Sequence, residues 1–372
     1  DHEYETLFGR LNDSRGSEST FFAFANTLTS QTYQGTNICH GWLGIRFQSS
    51  PGKGPNDIIL HINLNDATNR SQQQAIGVIG VNLIYAAFYQ RTPVNVFLPA
   101  LLDELSIKRI EIDLIEVSGP DFAHTDNRLL ALQLLRHELA NAIMYTREGG
   151  ASEPLALIYK RPVIIERGTF RTIEPLHAQI LNAAHNQLER EGHHSQREPI
   201  SIFEMTVNEL LVNEGFSDVE LLDRVDRLLE FGKGVMISRY AEHYNLTKYL
   251  NRFTREPIRF ATGISSLVKI LQEQAYQHLE GGVLEALAQL LTTNVKIFVY
   301  AMAVEKFKRH LEVSAFDYSA WDVPTSGTVT LVNIHPTSHL RHLYLYLIEI
   351  GALVPQVMDY GSAAESRQRR VE

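Results

Sequence analysis

Ile200-Ser201-Ile202-Phe203, Val235-Met236-Ile237, Ile258-Arg259-Phe260-Ala261 and Val295-Lys296-Ile297-Phe298-Val299 recur through the C-terminal half of the chain, each followed by a stretch of helical pattern. The helical stretches are 219–231, 241–253, those opening at 265 and 282, and 302–311. Short apolar strands that alternate with helices are what a parallel sheet covered on both faces requires, because neither face meets water. The reading is therefore α/β, with a parallel β-α-β-α sheet that is either open and doubly wound or barrel-like. Right-handed crossovers would place every strand's C-terminal end on one edge. Upstream, Pro162-Val163-Ile164-Ile165 is a further buried strand, followed by a polar helix over roughly Pro175 to Glu191. The stretch Gly192-His193-His194-Ser195 is the most linker-like of the interior.

The N-terminal part reads as α+β. Trp42–Phe47 and Ile58–Leu64 are strand-like and flank a connector rich in Gly, Pro and Ser, which predicts a β-hairpin with a long loop. Ser71 is a candidate N-cap for a helix with Ile76, Ile79, Leu83 and Ala87 at helical spacing. A short helix follows at Pro93–Leu105, then a half-exposed strand at Arg109–Val117. A helix capped by Asp126 runs from Asn127 to Tyr145, ended by Gly149-Gly150. The expected division is residues 1–160 as an α+β domain, 161–360 as the parallel α/β domain, and 361–372 as a polar tail.

Composition excludes several classes. The 372 residues are 44% hydrophobic and 21% charged, enough to bury a large core and unlike a disordered chain. A net charge of −9 gives no global field for nucleic acid, so no nucleic-acid partner is expected. The longest apolar run, Ala75 to Phe88, is shorter than a bilayer needs and reads as a buried helix, so no membrane partner is expected either. Cys39 is the single cysteine, which rules out an internal disulfide and reads as a core residue. The chain begins at Asp1 with no Met, as a trimmed chain would. A cytoplasmic location is expected.

Ligands of parallel α/β sheets bind at the strands' C-terminal ends. Glu166, Arg167 and Gly168 stand there, as do Glu204, then Ser238, Arg239 and Tyr240, then Thr262, Gly263, Ser265 and Ser266, and Tyr300. Carboxylates, guanidiniums and hydroxyls thus converge on one edge. In Thr262-Gly263-Ile264-Ser265-Ser266 a glycine between strand and helix offers a phosphate or carboxylate cradle, against the plainer reading of an N-cap serine. Tyr240, Tyr244, Lys248 and Arg252 recur every four residues and could hold an anion or aromatic ligand, or simply pack. Arg171 could add to the anion contacts of Arg167. His335, His339 and His342 share a helical spacing, but no Glu intervenes and Arg341 adjoins them, so neither a metal nor a cofactor is expected.

No Gly-x-x-x-x-Gly-Lys-Ser/Thr loop, strand-linked Gly-x-Gly-x-x-Gly or Gly-x-Ser-x-Gly elbow occurs. Cys39-His40-Gly41-Trp42-Leu43-Gly44-Ile45-Arg46-Phe47, Gly80–Tyr85, Lys160–Arg171, Leu279-Glu280-Gly281-Gly282 and His339-Leu340-Arg341-His342-Leu343-Tyr344 resemble an uncharacterised family of bacterial cytosolic proteins. Members are sometimes labelled nicotinate-nucleotide adenylyltransferase. That activity needs a His-x-Gly-His or Thr-x-Gly-His motif after the first strand, which this chain lacks. Ile264-Ser265-Ser266-Leu267-Val268-Lys269 only echoes the later Ile-Ser-Ser-x-Arg motif, so no catalytic residue carries over.

The leading expectation is a binding protein or group-transfer enzyme for a phosphorylated or carboxylated small molecule, a nucleotide among them. Gly263, Ser265 and Ser266 would hold the anion, with Tyr240 beside them; Arg167 and Arg239 would neutralise it, and Glu204 or Glu166 would be the acid/base. The rival is a non-catalytic scaffold that self-associates or joins a larger complex through the N-terminal aromatic segment and the helix of Tyr344 and Tyr346.

Overall fold

In the computed structural model of the chain, residues 2–15, 18–29, 38–193, 195–207, 217–313 and 316–358 are described; the expected polar tail lies outside them. Two compact units emerge. The first comprises 1–156, 211–226 and 237–239, and the second 157–210, 227–236 and 240–372. The first boundary falls at 156/157, and two later segments return to the first unit.

The first unit holds α1 (His2–Arg15), β1 (Phe22–Thr29), β2 (His40–Phe47), β3 (Asn56–Leu64), α2 (Asn69–Tyr85), α3 (Val94–Leu101), β4 (Ile110–Ser118), α4 (Asn127–Arg136), β5 (Ala142–Tyr145) and β6 (Ala151–Ser152), with α5 (Pro154–Ile158) at its end. Strands β1 to β4 form an antiparallel sheet in sequence order. Along β2, Leu43, Ile45 and Phe47 are buried while His40, Trp42, Gly44 and Arg46 stay half-buried, the period-two pattern of a sheet with two different faces. Gly41 is required where β1 crosses close: a Cβ there would stand 2.5 Å from the Thr27 carbonyl oxygen.

Three local expectations change. Thr68, not Ser71, caps α2, accepting a hydrogen bond from the Ser71 N–H. The helix expected to reach Tyr145 ends at Arg136, with Glu138 left-handed at φ 60°, and Ala142–Tyr145 is a strand. Its four residues are buried, so an apolar run that also fits a helix is decided by the sheet beside it. The strand β4, expected to be half-exposed, buries Glu111 and Asp113.

The second unit continues with β7 (Val163–Arg167), α6 (Pro175–Arg190), β8 (Ile200–Thr206), α7 (Asp218–Leu229), β9 (Gly234–Ser238), α8 (His243–Leu250), β10 (Ile258–Gly263), α9 (Ile264–Ile270), α10 (Gly282–Leu290) and β11 (Val295–Tyr300). It ends with β12 (Met302–Ala303), α11 (Val304–Val313), β13 (Trp321–Asp322), β14 (Thr328–Val329), β15 (His335–Pro336), α12 (Leu340–Glu349) and β16 (Leu353–Pro355). The unit boundaries cross α5, α7 and β9.

An open sheet of eight strands runs in the order β16-β11-β10-β7-β8-β9-β5-β6. Pairs β7–β8, β7–β10, β10–β11 and β11–β16 are parallel. After β5 and β6, which form one end of the sheet, the chain continues at β7, steps through β8 and β9, then returns to β10 on the other side of β7. This is the strand order of a doubly wound sheet, and of the two alternatives left by the sequence it is the open one. Val163, Ile164, Ile165, Ile202, Phe203, Ile258, Phe260, Ile297 and Phe298 are fully buried without alternation, as coverage on both faces demands. Each such side chain stabilises the fold by about 1.5–3 kcal/mol. At the strands' opposite edge, buried Arg259 pairs with Glu191, which also binds Lys296 at 3.0 Å.

Candidate functional site

Where the strand order reverses, the carboxyl ends of β7 and β10 part and open a crevice in doubly wound sheets. The last residues of β7 are Glu166 and Arg167; those of β10 are Thr262 and Gly263. Glu166 is opposite Ala261 in the register, and Gly263 is opposite Tyr300.

Glu166 is 3% exposed. Its Oε1 lies 2.7 Å from His177 Nδ1, while Oε2 is buried with no hydrogen-bond partner. His177 stands in the first turn of α6, where Pro175 starts the helix with its fixed φ and missing N–H. Its Nε2 reaches the Thr172 carbonyl oxygen at 3.3 Å. Burial pushes the Glu166 carboxyl up, and His177 pulls it back only in part. Burial opposes charge on His177 as well, yet its hydrogen bond to Glu166 holds the imidazole above its ordinary value. The pair therefore keeps a proton more firmly than either group alone would in water.

Arg167 is anchored on one side and lacks a partner on another. Its Nε is 2.7 Å from Oε2 of Glu204, which is 0% exposed, and its Nη2 donates to Thr206 Oγ1 at 2.7 Å and to the Tyr240 carbonyl oxygen. Nη1 is buried without a hydrogen-bond partner. Around this guanidinium, His243 is held well below its ordinary pKa by burial and then by the charge of Arg167. Its ring meets Phe260 edge-on at 5.5 Å. Tyr276 is pushed up to about 12, chiefly by burial. Tyr300 is raised by burial and by the charge of Glu166, so it remains a neutral phenol. Its ring covers Gly263 so closely that a Cβ there would stand 3.1 Å from it.

Phe170 closes the floor in a left-handed conformation, φ 48°, with its ring against His177 at 5.0 Å and Phe203 at 5.3 Å. The turn from β7 to α6, where a dinucleotide fold would carry Gly-x-Gly-x-x-Gly, reads Gly168-Thr169-Phe170-Arg171-Thr172. Its one glycine donates its N–H to the Glu204 carbonyl oxygen at 3.0 Å.

Of the residues expected from sequence, Glu166, Arg167, Glu204, the Tyr240 backbone and Gly263 thus occupy the edges of β7, β8 and β10. Ser265 is buried inside the first turn of α9, its hydroxyl 3.5 Å from His310 Nδ1, and Ser266 is half-buried beside it. Arg239 belongs to the first unit, where its guanidinium pairs with Glu138 and its N–H donates to the Asn141 carbonyl oxygen. Tyr244 packs on Tyr276 and reaches His278 Nε2 at 3.1 Å, with Lys248 over its ring. Sequence reasoning missed His177, Thr206, His243 and the role of Tyr300. A signal existed for the first: Pro175 marks the helix start, which puts His177 in the first turn of the helix that follows β7.

Among the described residues, no group of three or more His, Cys, Asp or Glu side chains is placed to hold a metal ion. His335 lies in β15 and His339 precedes α12 and pairs with Glu273, so the three histidines do not share a helical face. A cavity of about 270 Å³ lies at the amino-terminal edge, lined by Pro162, Leu188, Gly192, His193, Arg197 and Pro199. None of the buried side-chain atoms left without a partner belongs to its lining, and parallel sheets bind ligands at the other edge. No protein-family model and no curated protein matches the chain.

Proposed function

We propose that the second unit binds a small molecule carrying both an acidic group and a hydroxyl at the carboxyl edge between β7 and β10. A sugar phosphate or nucleotide has this chemistry. The observation that carries the reading is that the last two residues of β7 each keep a buried atom without a hydrogen-bond partner: Arg167 Nη1, a charged donor, and Glu166 Oε2, an acceptor. Each unmade hydrogen bond costs about 1–3 kcal/mol in the folded protein, so a ligand that satisfies both recovers that cost on binding. Arg167 would hold the phosphate or carboxylate, while Glu166 would take the hydroxyl.

Group transfer is the reaction that suits this edge. Glu166, held by His177 through Oε1, can accept the ligand hydroxyl's proton on Oε2 as that oxygen becomes a nucleophile. Glu204, paired with Arg167, positions the guanidinium. The scaffold reading has a separate support, the exposed stripe Val81, Tyr85 and Tyr89. Tyr344 does not contribute to such a surface: it is buried and donates its hydroxyl to the Leu331 carbonyl oxygen.

A thermal-shift screen of nucleotides and sugar phosphates tests the proposal. A ligand at one hundred times its Kd stabilises the folded state by about 2.7 kcal/mol. For a unit of this size that is a rise of roughly 5–10 °C. Arg167→Lys keeps the charge facing Glu204 but has no Nη1, and Glu166→Gln replaces an acceptor of charge −1 by an amide; both should shrink the shift. No shift with any member at millimolar concentration, or an undiminished shift in both variants, overturns the reading.

A further inference from the structure

In the first unit a chain of polar side chains runs through the antiparallel sheet from its interior to its open face. Asp113, on β4, and His61, on β3, are fully buried, with His61 Nδ1 2.6 Å from Asp113 Oδ1. The second Asp113 oxygen accepts from Asn63 Nδ2 at 2.6 Å, so the carboxylate is fixed from two sides. His61 Nε2 lies 3.0 Å from Nδ1 of His40, on β2. The pairing of β3 with β4 slips between His61 and Ile62, and Asp113 has no cross-strand partner in the register at that point. The slip lets a third strand supply a carboxylate to a histidine that already pairs across to β2.

The tautomers follow from the partners. Asp113 accepts, so His61 Nδ1 carries a proton; a neutral His61 then offers Nε2 as acceptor to the Nδ1–H of His40. That leaves a lone pair on His40 Nε2, which has no partner among the described residues. We propose that His40, His61 and Asp113 form a proton relay that serves a second ligand site, on the open face of this sheet. His40 Nε2 removes a proton from the bound molecule, the His40 Nδ1 proton passes to His61 Nε2, and the ligand is left as its conjugate base. The positive charge comes to rest on His61 beside Asp113, and no atom changes oxidation state. His40 is the residue that touches the ligand; His61 and Asp113 are positioning residues.

The surroundings select the ligand. Trp42, whose ring lies 4.9 Å from that of His61, shares a face with Gly44 and with Ile59, which is 39% exposed. The register puts Trp42 opposite His61 and Gly44 opposite Ile59, and a Cβ on Gly44 would meet nothing nearer than 4.0 Å. This is a flat apolar floor next to the imidazole. Its charges are mostly acidic. Glu111, Glu153 and Asp113 act on His61, and Glu116 acts on Glu153, while Arg46 is spent on Asp57 at 2.7 Å. An uncharged or cationic planar molecule with a dissociable proton fits, and an anion does not. The titration directions agree: burial opposes charge on both histidines, yet Asp113 holds His61 above its ordinary value while His40 falls below it. This site owes nothing to the phosphate-binding reading of the second unit.

Acylation by diethyl pyrocarbonate reads the basicity of His40 Nε2 directly. Peptide mapping between pH 6 and 8 compares its rate with that of His193, a histidine of the other unit paired with Glu256. His40 should react faster than His193. Asp113→Asn and His61→Gln, with circular dichroism unchanged, should slow His40 by about tenfold, the equivalent of one pKa unit, and leave His193 unaffected. A histidine with a merely structural bond would keep its rate in both variants, and that outcome overturns the relay. If the variants do not fold, the wild-type comparison decides: no advantage of His40 over His193 is a refutation. Benzamidinium and benzoate test the ligand class through Trp42 fluorescence in a Trp321→Phe background. Saturable quenching by the cation alone supports it, whereas quenching by benzoate, or by neither, overturns it.

Discussion

Replacing Arg167 by Met tests whether the carboxyl edge is held by its buried ion pair. The substitution keeps the length of the apolar stem but removes the contact with Glu204 at 2.7 Å and the bonds to Thr206 and the Tyr240 carbonyl. Glu204 is 0% exposed, so its carboxylate stays in the interior without the guanidinium. Breaking a buried pair from one side costs about 3–5 kcal/mol, because the remaining charge has lost its water and its partner. Removing both charges is different: Arg167→Met with Glu204→Leu should return to within about 1 kcal/mol of the parent, since an apolar pair avoids both desolvation costs. The chain has two tryptophans, Trp42 in the first unit and Trp321 in the second. In a Trp42→Phe background, urea denaturation followed by Trp321 fluorescence therefore reports the second unit alone. A single-variant loss under about 1 kcal/mol, or a double variant no better than the single, refutes the argument that Glu204 depends on this guanidinium.

Two further outcomes follow from the same edge. Glu166 and His177 both have pKa values raised in the folded state, so each contributes stability that is present at low pH and lost as pH rises through its folded value. The contribution of this pair should accordingly fade as pH rises above 6.5, whereas His243, held well below its ordinary value, adds stability as pH rises toward 6.5; the difference between the parent and His177→Gln in Trp321-monitored melts isolates the first effect. At Phe170 two effects oppose. Relief of its left-handed backbone would stabilise a Gly by about 1–2 kcal/mol, but truncating a 4%-exposed ring wedged between His177 and Phe203 costs about 3–5 kcal/mol. Packing wins, so Phe170→Gly should lose roughly 1–4 kcal/mol in the same denaturation assay; a stabilised variant would show that the ring carries no packing energy.

The sequence by itself determined the elements whose pattern has one physical reading. Apolar strands such as Ile258–Ala261 and Val295–Val299, bounded by helices at 3.6-residue spacing, can be buried only in a parallel sheet, and the strands lie where that pattern puts them. Pattern cannot give strand order. Nothing local in β10 says that it returns to the far side of β7 rather than extending past β9, and that return makes the boundary between β7 and β10, where Glu166 and Arg167 end their strand, the switch point of the sheet. The same limit explains Ala142–Tyr145, an apolar run compatible with helix or strand until a neighbour offers hydrogen bonds.

Site residues divide in the same way. Glu166, Arg167 and Glu204 were legible because each ends or nearly ends a strand, whereas Ser265 and Arg239 share that sequence position but spend their polar atoms on His310 and Glu138. The relay through His40, His61 and Asp113 left no mark in the sequence. Its members sit 21 and 52 residues apart, and β4 reads as half-exposed until the slip in its pairing turns Asp113 inward. Charge and hydrophobic period are local properties of a chain, so the sequence displays them. Which polar atoms end up buried together, and which remain without a partner, depends on strand order and register, and only the tertiary structure decides those.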